Sequence, residues 1–295
     1  MSALPLAALA TETAFGWPAR VHHPVEAIGA LIDRLDRGWN HGRARRAKGI
    51  AALAVVAGAG WLCGLAARAL GPGTALAAAS AALAQRSLHT HVLAVERALA
   101  DGDLARARTE VARIVGRDTA ALDAGGIARA AIESLAESFN DGVVAPAFWL
   151  WAGGPAAAWA YKAINTADSM IGHRTPRHER FGWASARADD LLNLAPARLA
   201  GALIVVAGGG GWRVMLRDAR AHASPNAGWP EAAMAGALGL GLGGPVSYDG
   251  EPTDRPWFGD GRDPEGAADI SRALEVYRRA CALLWLLAGV RTWRR

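Results

Sequence analysis

Apolar positions along this chain gather into windows almost free of charge instead of alternating with polar ones. Between Lys48 and Arg86 the only charge is Arg68, and between Asp141 and Lys162 there is none. A helix over the second window would be about 30 Å long, the thickness of a bilayer core, and the first window is longer still. Residues 49–70 read as one apolar helix. Gly71-Pro72-Gly73 breaks it, and Thr74 is placed to cap a second helix through the Ala-rich 75–84 and on past His91. Residues 49–92 are therefore expected to form a helical hairpin. Residues 93–142 read as a water-facing, cytoplasmic helical insertion, in which Asp103 caps a short helix holding Leu104, Ala107, Val111 and Val115. Further apolar windows lie at 143–161, 199–212, 232–247 and 280–290. Gly153-Gly154-Pro155 interrupts the first of these and predicts a re-entrant pair of half-helices, 143–152 and 155–161. No strand pattern stands out. The expected class is all-α, a single multi-spanning membrane domain over residues 1–295.

Composition supports the membrane reading. Hydrophobic residues make up 52%, charged residues 20%, and the mean hydropathy is +0.12, against about a quarter charged in soluble domains. A buried Ala-rich helix in a large soluble protein is the plainer alternative. Trp17, Trp61, Trp149, Trp151, Trp159, Trp212 and Trp285 flank apolar runs, where indole rings suit the headgroup level. The net charge of +5 is concentrated in clusters such as Arg43, Arg45, Arg46 and Lys48. With no nucleic-acid-binding motif beside them, these read as positive-inside anchors, which places residues 17–48 and 86–142 in the cytoplasm. Cys63 and Cys281 both lie in apolar runs, which argues against a disulfide framework. The N-terminus has no basic n-region, so a cleaved secretory signal is not expected.

The polar chemistry sits next to the apolar windows. If Ile127 to Asn140 is helical, Glu133, Glu137 and Asp141 recur every four residues on one face. Like charges at that spacing repel, so a cation or a basic partner explains them better than local structure does; a solvated acidic face is the alternative. Residues 162–198, read as a polar loop, carry Lys162, Asn165, Asp168, Arg174, Arg187, Asp189, Asp190, Asn193 and Arg198. Arginines bind phosphate through paired hydrogen bonds and aspartates hold Mg²⁺, so this mixture suits a phosphorylated ligand carried with a metal. A loop laced with salt bridges is the competing reading. Residues 223–231, with Asn226, read as a turn before a helix start. The histidines lack metal-binding spacing, and no G-x-x-x-x-G-K-[ST] loop is present.

Several short motifs occur in a fixed order. They are His23-Pro24-Val25, Val115-Gly116-Arg117-Asp118, Ile132-Glu133-Ser134-Leu135-Ala136-Glu137 and Asp141-Gly142-Val143-Val144-Ala145-Pro146. Asn165-Thr166, Asp168-Ser169-Met170-Ile171-Gly172, Asp189-Asp190, Asn193, Pro196-Ala197-Arg198, Ser224-Pro225-Asn226 and Tyr248-Asp249-Gly250 follow. Over nearly its whole length the chain resembles the cobalamin-biosynthesis membrane proteins called CobD or CbiB. One departure is Ser138, where the family usually has Asn; Asn140 stands two residues later.

The resemblance implies adenosylcobinamide-phosphate synthase activity at the inner membrane, with the active site facing the cytoplasm. Such a ligase joins the free propionate carboxyl of adenosylcobyric acid, its corrinoid substrate, to aminopropanol phosphate, and consumes ATP with Mg²⁺. On that reading Glu133, Glu137, Asp141, Asp168, Asp189 and Asp190 form the catalytic group. Asp141, Asp168, Asp189 and Asp190 would hold the metal, while Glu133 and Glu137 are metal or general-base candidates. Lys162, Asn165, Arg174, Arg187, Asn193, Arg198 and Asn226 would contact substrate, with Arg174, Arg187 and Arg198 as phosphate clamps. The expected partners are the lipid bilayer and other corrinoid-pathway enzymes, not nucleic acid. The rivals are a transporter or channel, which should show paired repeats and charges inside its spans, and a non-catalytic scaffold for corrinoid enzymes.

Overall fold

A computed structural model describes residues 3–18, 20–248 and 250–293; Asp249 of the last motif lies outside these. The first helices are α1 (Leu4–Phe15), α2 (Pro24–Trp39), α3 (Arg45–Ala69) and α4 (Pro72–Ala81). Next come α5 (Gln85–Ala100), α6 (Leu104–Val111) and α7 (Ala124–Phe139), and a π-helical turn over Asn140–Val144 leads into α8 (Ala145–Ile171). The later helices are α9 (Trp183–Leu192), α10 (Leu194–Gly208), α11 (Trp212–Asp218) and α12 (Gly228–Leu238). Four short strands, β1 (Leu242–Gly243), β2 (Val246–Tyr248), β3 (Glu251–Thr253) and β4 (Trp257–Phe258), precede α13 (Ala267–Trp293). They pair antiparallel as β1–β4 and β2–β3. The described residues are thus mainly helical, as expected, and the strands are the departure.

The chain divides into two compact units. The first holds α1 to α4, α8 and α9; the second holds α5 to α7, the π turn, α10 to α12, the strands and most of α13.

In the first unit α3 packs along α8 through glycine. A Cβ on Gly60 would collide with the Trp159 carbonyl, one on Gly64 with Pro155 and Ala156, and one on Gly49 with the Phe181 carbonyl. Such bare positions let two backbones approach closely. Trp159, 1% exposed, donates its indole N–H to the Ala78 carbonyl at 2.8 Å and so ties α8 to α4. α2 starts with a capping box: His23 accepts from the Val25 amide at 3.1 Å, and the Glu26 carboxylate accepts from the His23 amide at 3.0 Å. The His-Pro-Val motif therefore has a local structural explanation. α8 breaks where expected, at Gly154 (φ 72°, ψ −163°) before Pro155, but its second arm runs on to Ile171.

Three expectations need correction here. Thr74 does not cap α4; its hydroxyl donates back to the carbonyls of Ala67 (2.7 Å) and Gly71 (2.9 Å), while Pro72 opens the helix. The second arm of the hairpin is two helices, because the chain turns at residues 82–84. Ala82 and Leu83 are buried in that turn, with no glycine or proline to announce it. Residues 162–198 are mostly helical, in α8, α9 and the start of α10, and only residues 172–182 form a connection.

The second unit is built around α7, which is not water-facing. Ile127, Ala128, Ala130, Ala131, Ile132, Leu135 and Ala136 are all fully buried. Alanines on both faces let α5, α6 and α12 pack around it. Phe139 meets Tyr277 of α13 edge to face at 5.6 Å. Asp103 caps α6 as expected, accepting from the Arg106 amide at 2.9 Å, although the helix ends at Val111. The 232–247 window is helix only to Leu238. Gly239, with positive φ, then turns the chain toward β1, and Gly243, also with positive φ, ends that strand.

Among the described residues one helix, α3, is long and apolar enough to cross a membrane. A second span exists if α9 and α10 together make one broken span. Only 22% of the most apolar stretch of α3 is buried.

Candidate functional site: buried carboxylates and their partners

The residues singled out from the sequence fall in both units.

In the second unit α7 carries Glu133 and Glu137, and the π turn carries Asp141. Glu133 is 2% exposed, so the acidic face is not a solvated one. One Glu133 oxygen accepts from the Gly243 amide of β1 at 2.6 Å, and the other takes a charged hydrogen bond from Arg117. Glu231, near the start of α12 and 1% exposed, has one oxygen 3.6 Å from His222 Nε2 and 3.8 Å from the Arg255 guanidinium. Arg255 Nη2 and His222 Nε2 are themselves 2.6 Å apart. The other Glu231 oxygen, Oε2, is buried with no hydrogen-bond partner. Asp141, half-buried, accepts from the Asn140 side chain at 2.7 Å.

These groups perturb one another. Glu137 is accessible to solvent, although protein atoms crowd around it. Burial raises its pKa to about 7, with help from Asp141 and Glu133 and against the pull of Arg255 and Arg117. Glu231 is pushed well above the ordinary carboxylate range by burial, then by Glu137 and Glu133. His222 is lowered to about 4 by burial and then by the charge of Arg255, so it is neutral at pH 7.

The second unit also brings Arg198 and Asn226 together. The Arg198 guanidinium donates to the Asn226 side-chain oxygen at 2.7 Å and lies 4.7 Å from the centroid of the Trp229 ring. Ser224 shapes the turn before α12 by accepting from the amides of Asn226 (3.2 Å) and Ala227 (3.3 Å).

In the first unit a second network joins α8, α9 and the Asn193 link between α9 and α10. Asp189, 9% exposed, accepts from Asn165 at 3.2 Å and from Asn193 at 3.0 Å, one bond to each oxygen. Asn193 in turn accepts from the Tyr161 hydroxyl at 3.1 Å. Asp190 points elsewhere and lies 3.5 Å from Arg187, whose side chain is 59% exposed. Lys162 and Asp168 are half-buried on α8, and Arg174 is exposed in the 172–182 connection.

Arg255, His222 and Tyr161 were not visible as site residues in the sequence, and Glu231 only as part of a weak turn motif. Arg255 lies in an irregular Pro/Asp-rich stretch with no periodicity. Tyr161 had one usable signal, its place one turn before Asn165 on an apolar helix. Among the described residues no group of three His, Cys, Asp or Glu side chains could hold a metal by itself. Mg²⁺ bound with nucleotide usually needs only one or two carboxylates, since phosphate oxygens and water complete its shell. The half-buried Asp141, Asp168 and Asp190 fit that smaller demand. Asp189, with both oxygens engaged by amides, fits it less well.

Comparison with known proteins agrees with this composition of motifs. The CobD/CbiB protein family matches residues 5–277. The cobalamin biosynthesis protein CobD of Rhodobacter capsulatus is 49% identical over 304 residues, covering 98% of this chain and 96% of the relative. Those of Geobacter metallireducens (43% over 313 residues; 98% and 96%) and a Sinorhizobium species (47% over 287 residues; 90% and 89%) are similar over nearly their full lengths. No solved structure matches the chain. The match runs through both units, and at this identity and coverage the chain belongs to the CobD/CbiB family of cobalamin biosynthesis proteins.

Proposed function

We propose that this protein is the amide-forming ligase of its pathway. It joins the propionate carboxyl of adenosylcobyric acid to (R)-1-amino-2-propanol phosphate, consumes ATP with Mg²⁺, and yields adenosylcobinamide phosphate. The observation that carries the reading is the second unit's cluster of Glu133, Glu137 and Glu231 against Arg117 and Arg255. Glu137 and Glu231, whose proton affinities are raised there, mark this cluster as a place for proton chemistry.

A carboxylate is a poor acyl donor because its leaving group would be oxide or hydroxide. Bound Mg²⁺ and ATP would supply the phosphoryl group that makes this oxygen a good leaving group. The protein's own residues do the rest. Glu137, raised to about 7, is placed to take the proton an ammonium must lose before it attacks. Arg174 and Arg187, exposed beside Asp190, and Arg198, braced by Asn226 and Trp229, are the phosphate-binding cations of this reading. Within the first unit Asp168 and Asp190, and within the second Asp141, are its candidate metal donors. Asp189, locked to Asn165 and Asn193, positions α9 and so Asp190.

The same reading places the protein in the inner membrane. α3 leaves Ile50, Val55, Trp61, Leu62 and Leu65 exposed, from 40% to 65% each, which in water would be an unusually large apolar patch. Arg45, Arg46 and Lys48 at its N-terminal end suit the cytoplasmic side. The test of the chemistry is direct: purified protein with adenosylcobyric acid, aminopropanol phosphate and Mg-ATP, read by mass spectrometry. Adenosylcobinamide phosphate should form only when all are present. No product from folded protein would leave the scaffold reading.

A further inference from the structure

The second unit holds more negative charge than its own cations offset. Glu133, Glu137, Asp141 and Glu231 influence one another there, and the cations they share are Arg117 and Arg255. His222 adds no charge, since it is neutral at pH 7. With every carboxylate ionised the group would carry an excess of two negative charges. Part of that deficit is structural: Glu133 is satisfied on both oxygens, by Arg117 and by the Gly243 amide. Glu231 is different. It is 1% exposed, its Oε1 faces His222 and Arg255, and its Oε2 has no hydrogen-bond partner. A buried carboxylate oxygen left unpaired costs a protein about 1–3 kcal/mol or more, so its retention calls for a donor that arrives from outside. Glu137, accessible to solvent and close enough to act on Glu231 electrostatically, marks the side from which it can be reached.

Carboxylates outnumber the shared cations here, so a cation suits this cluster better than phosphate or the corrinoid's carboxylate, and its arrival would favour the ionised forms of Glu137 and Glu231. A protein-held metal is a poor fit, because among the described residues no three metal-binding side chains converge. An ammonium group fits better. It carries one positive charge, brings three hydrogen-bond donors and no acceptor, and needs acceptors singly instead of a closed coordination shell.

We infer that the cluster holding Glu137 and the unpaired oxygen of Glu231 binds the ammonium group of the amine substrate, with Glu231 as its buried anchor. The inference rests on the ligase reading, and it adds Glu231 as the residue that tells an amine from its amine-less analogue. Arg255 and His222 lie against its other oxygen, at 3.8 and 3.6 Å, and so position Glu231 through charge and packing.

The test is titration calorimetry on the full-length protein in detergent. The two probes are 1-amino-2-propanol O-phosphate and isopropyl phosphate, which lacks the amine. Wild type should prefer the amine at least about tenfold, or 1.4 kcal/mol. Glu231→Gln, which keeps the shape and removes the charge, should lose most of that preference. Its affinity for isopropyl phosphate should stay within about twofold of wild type. A preference that survives the substitution, or an equal loss for both probes, overturns the ammonium site, as does a wild type with no preference. Should Glu231→Gln fail to fold, Glu137→Gln at the accessible rim is read the same way. Amide formation is measured separately. Product with the preference intact in both variants sinks the ammonium site alone. No product with a wild-type amine preference sinks the ligase reading alone.

Discussion

Asp36 on α2 shows how one buried carboxylate can steady the first unit. It is 7% exposed and accepts from Asn40 at 2.6 Å and from the Arg177 guanidinium at 2.5 and 3.1 Å. Burial alone would raise its pKa, but the hydrogen bonds of Arg177, Asn40 and His178 outweigh burial and hold it below the ordinary value of 3.8. A carboxylate depressed in the folded state adds stability above its unfolded pKa and loses it as pH falls through the folded one. Asp36→Asn should therefore cost about 1 kcal/mol near pH 7, toward the low end because Arg177 is largely exposed. The gap to wild type should narrow below pH 4 in thermal unfolding in detergent; an unchanged gap at pH 3 counts against the pairing. Two neighbouring aspartates separate in the same way. Asp189→Ala strands the amides of Asn165 and Asn193 and should cost about 2–3 kcal/mol of stability. Asp190→Asn should stay within about 0.5 kcal/mol of wild type and yet lower turnover by an order of magnitude or more. Equal effects on stability would remove the distinction between a positioning and a ligand-binding carboxylate.

Among the helices, the α3–α8 pair depends on backbone approach. Gly60→Val would drive a branched side chain into the Trp159 carbonyl and should destabilise the protein by about 3 kcal/mol. Gly58 is the control, because a methyl group there would meet nothing within 4 Å. Gly58→Ala should be neutral or raise the melting temperature, since alanine favours helix. If both variants unfold alike, close packing is not what those glycines serve. The sequence showed α3 as apolar and glycine-rich but could not say which glycines face α8, because a helix with alanine on every side has no distinguishable stripe. The strands were invisible for a related reason. Elements of two or three residues among glycines and prolines are too short for alternation to register.

For the molecule entire, the membrane reading predicts a chemical asymmetry between the two cysteines. Cys63 is exposed in the C-terminal half of α3, and Cys281 is buried. In vesicles Cys63 should resist a membrane-impermeant maleimide and yield to a lipid-soluble one, while Cys281 should need denaturation for either. The protein should also stay in the membrane pellet through high-salt and alkaline washes. Rapid labelling of Cys63 by the impermeant reagent, with the pellet lost to salt alone, would remove α3 from the bilayer and leave its apolar face to be covered by another protein surface.

What a few neighbouring residues can decide was legible in the chain before any folding is considered. The helical class, the break at Gly154-Pro155, the Asp103 cap and the family motifs are of this kind, since backbone dihedrals and caps depend on positions no more than about four apart. Glu133, Glu137 and Asp141 were legible as a group for the same reason, and so was their need for a basic partner. Which partner was not. Glu133 meets Arg117 and an amide from a strand 110 residues on, Glu231 meets Arg255 through an irregular loop, and Tyr161 closes a network with Asn193 and Asp189. These pairings exist only in three dimensions. Long-range contacts are chosen by the packing of α7 and α12 and by burial, which raises the proton affinity of Glu137 and Glu231, and neither leaves a periodic signal in the chain.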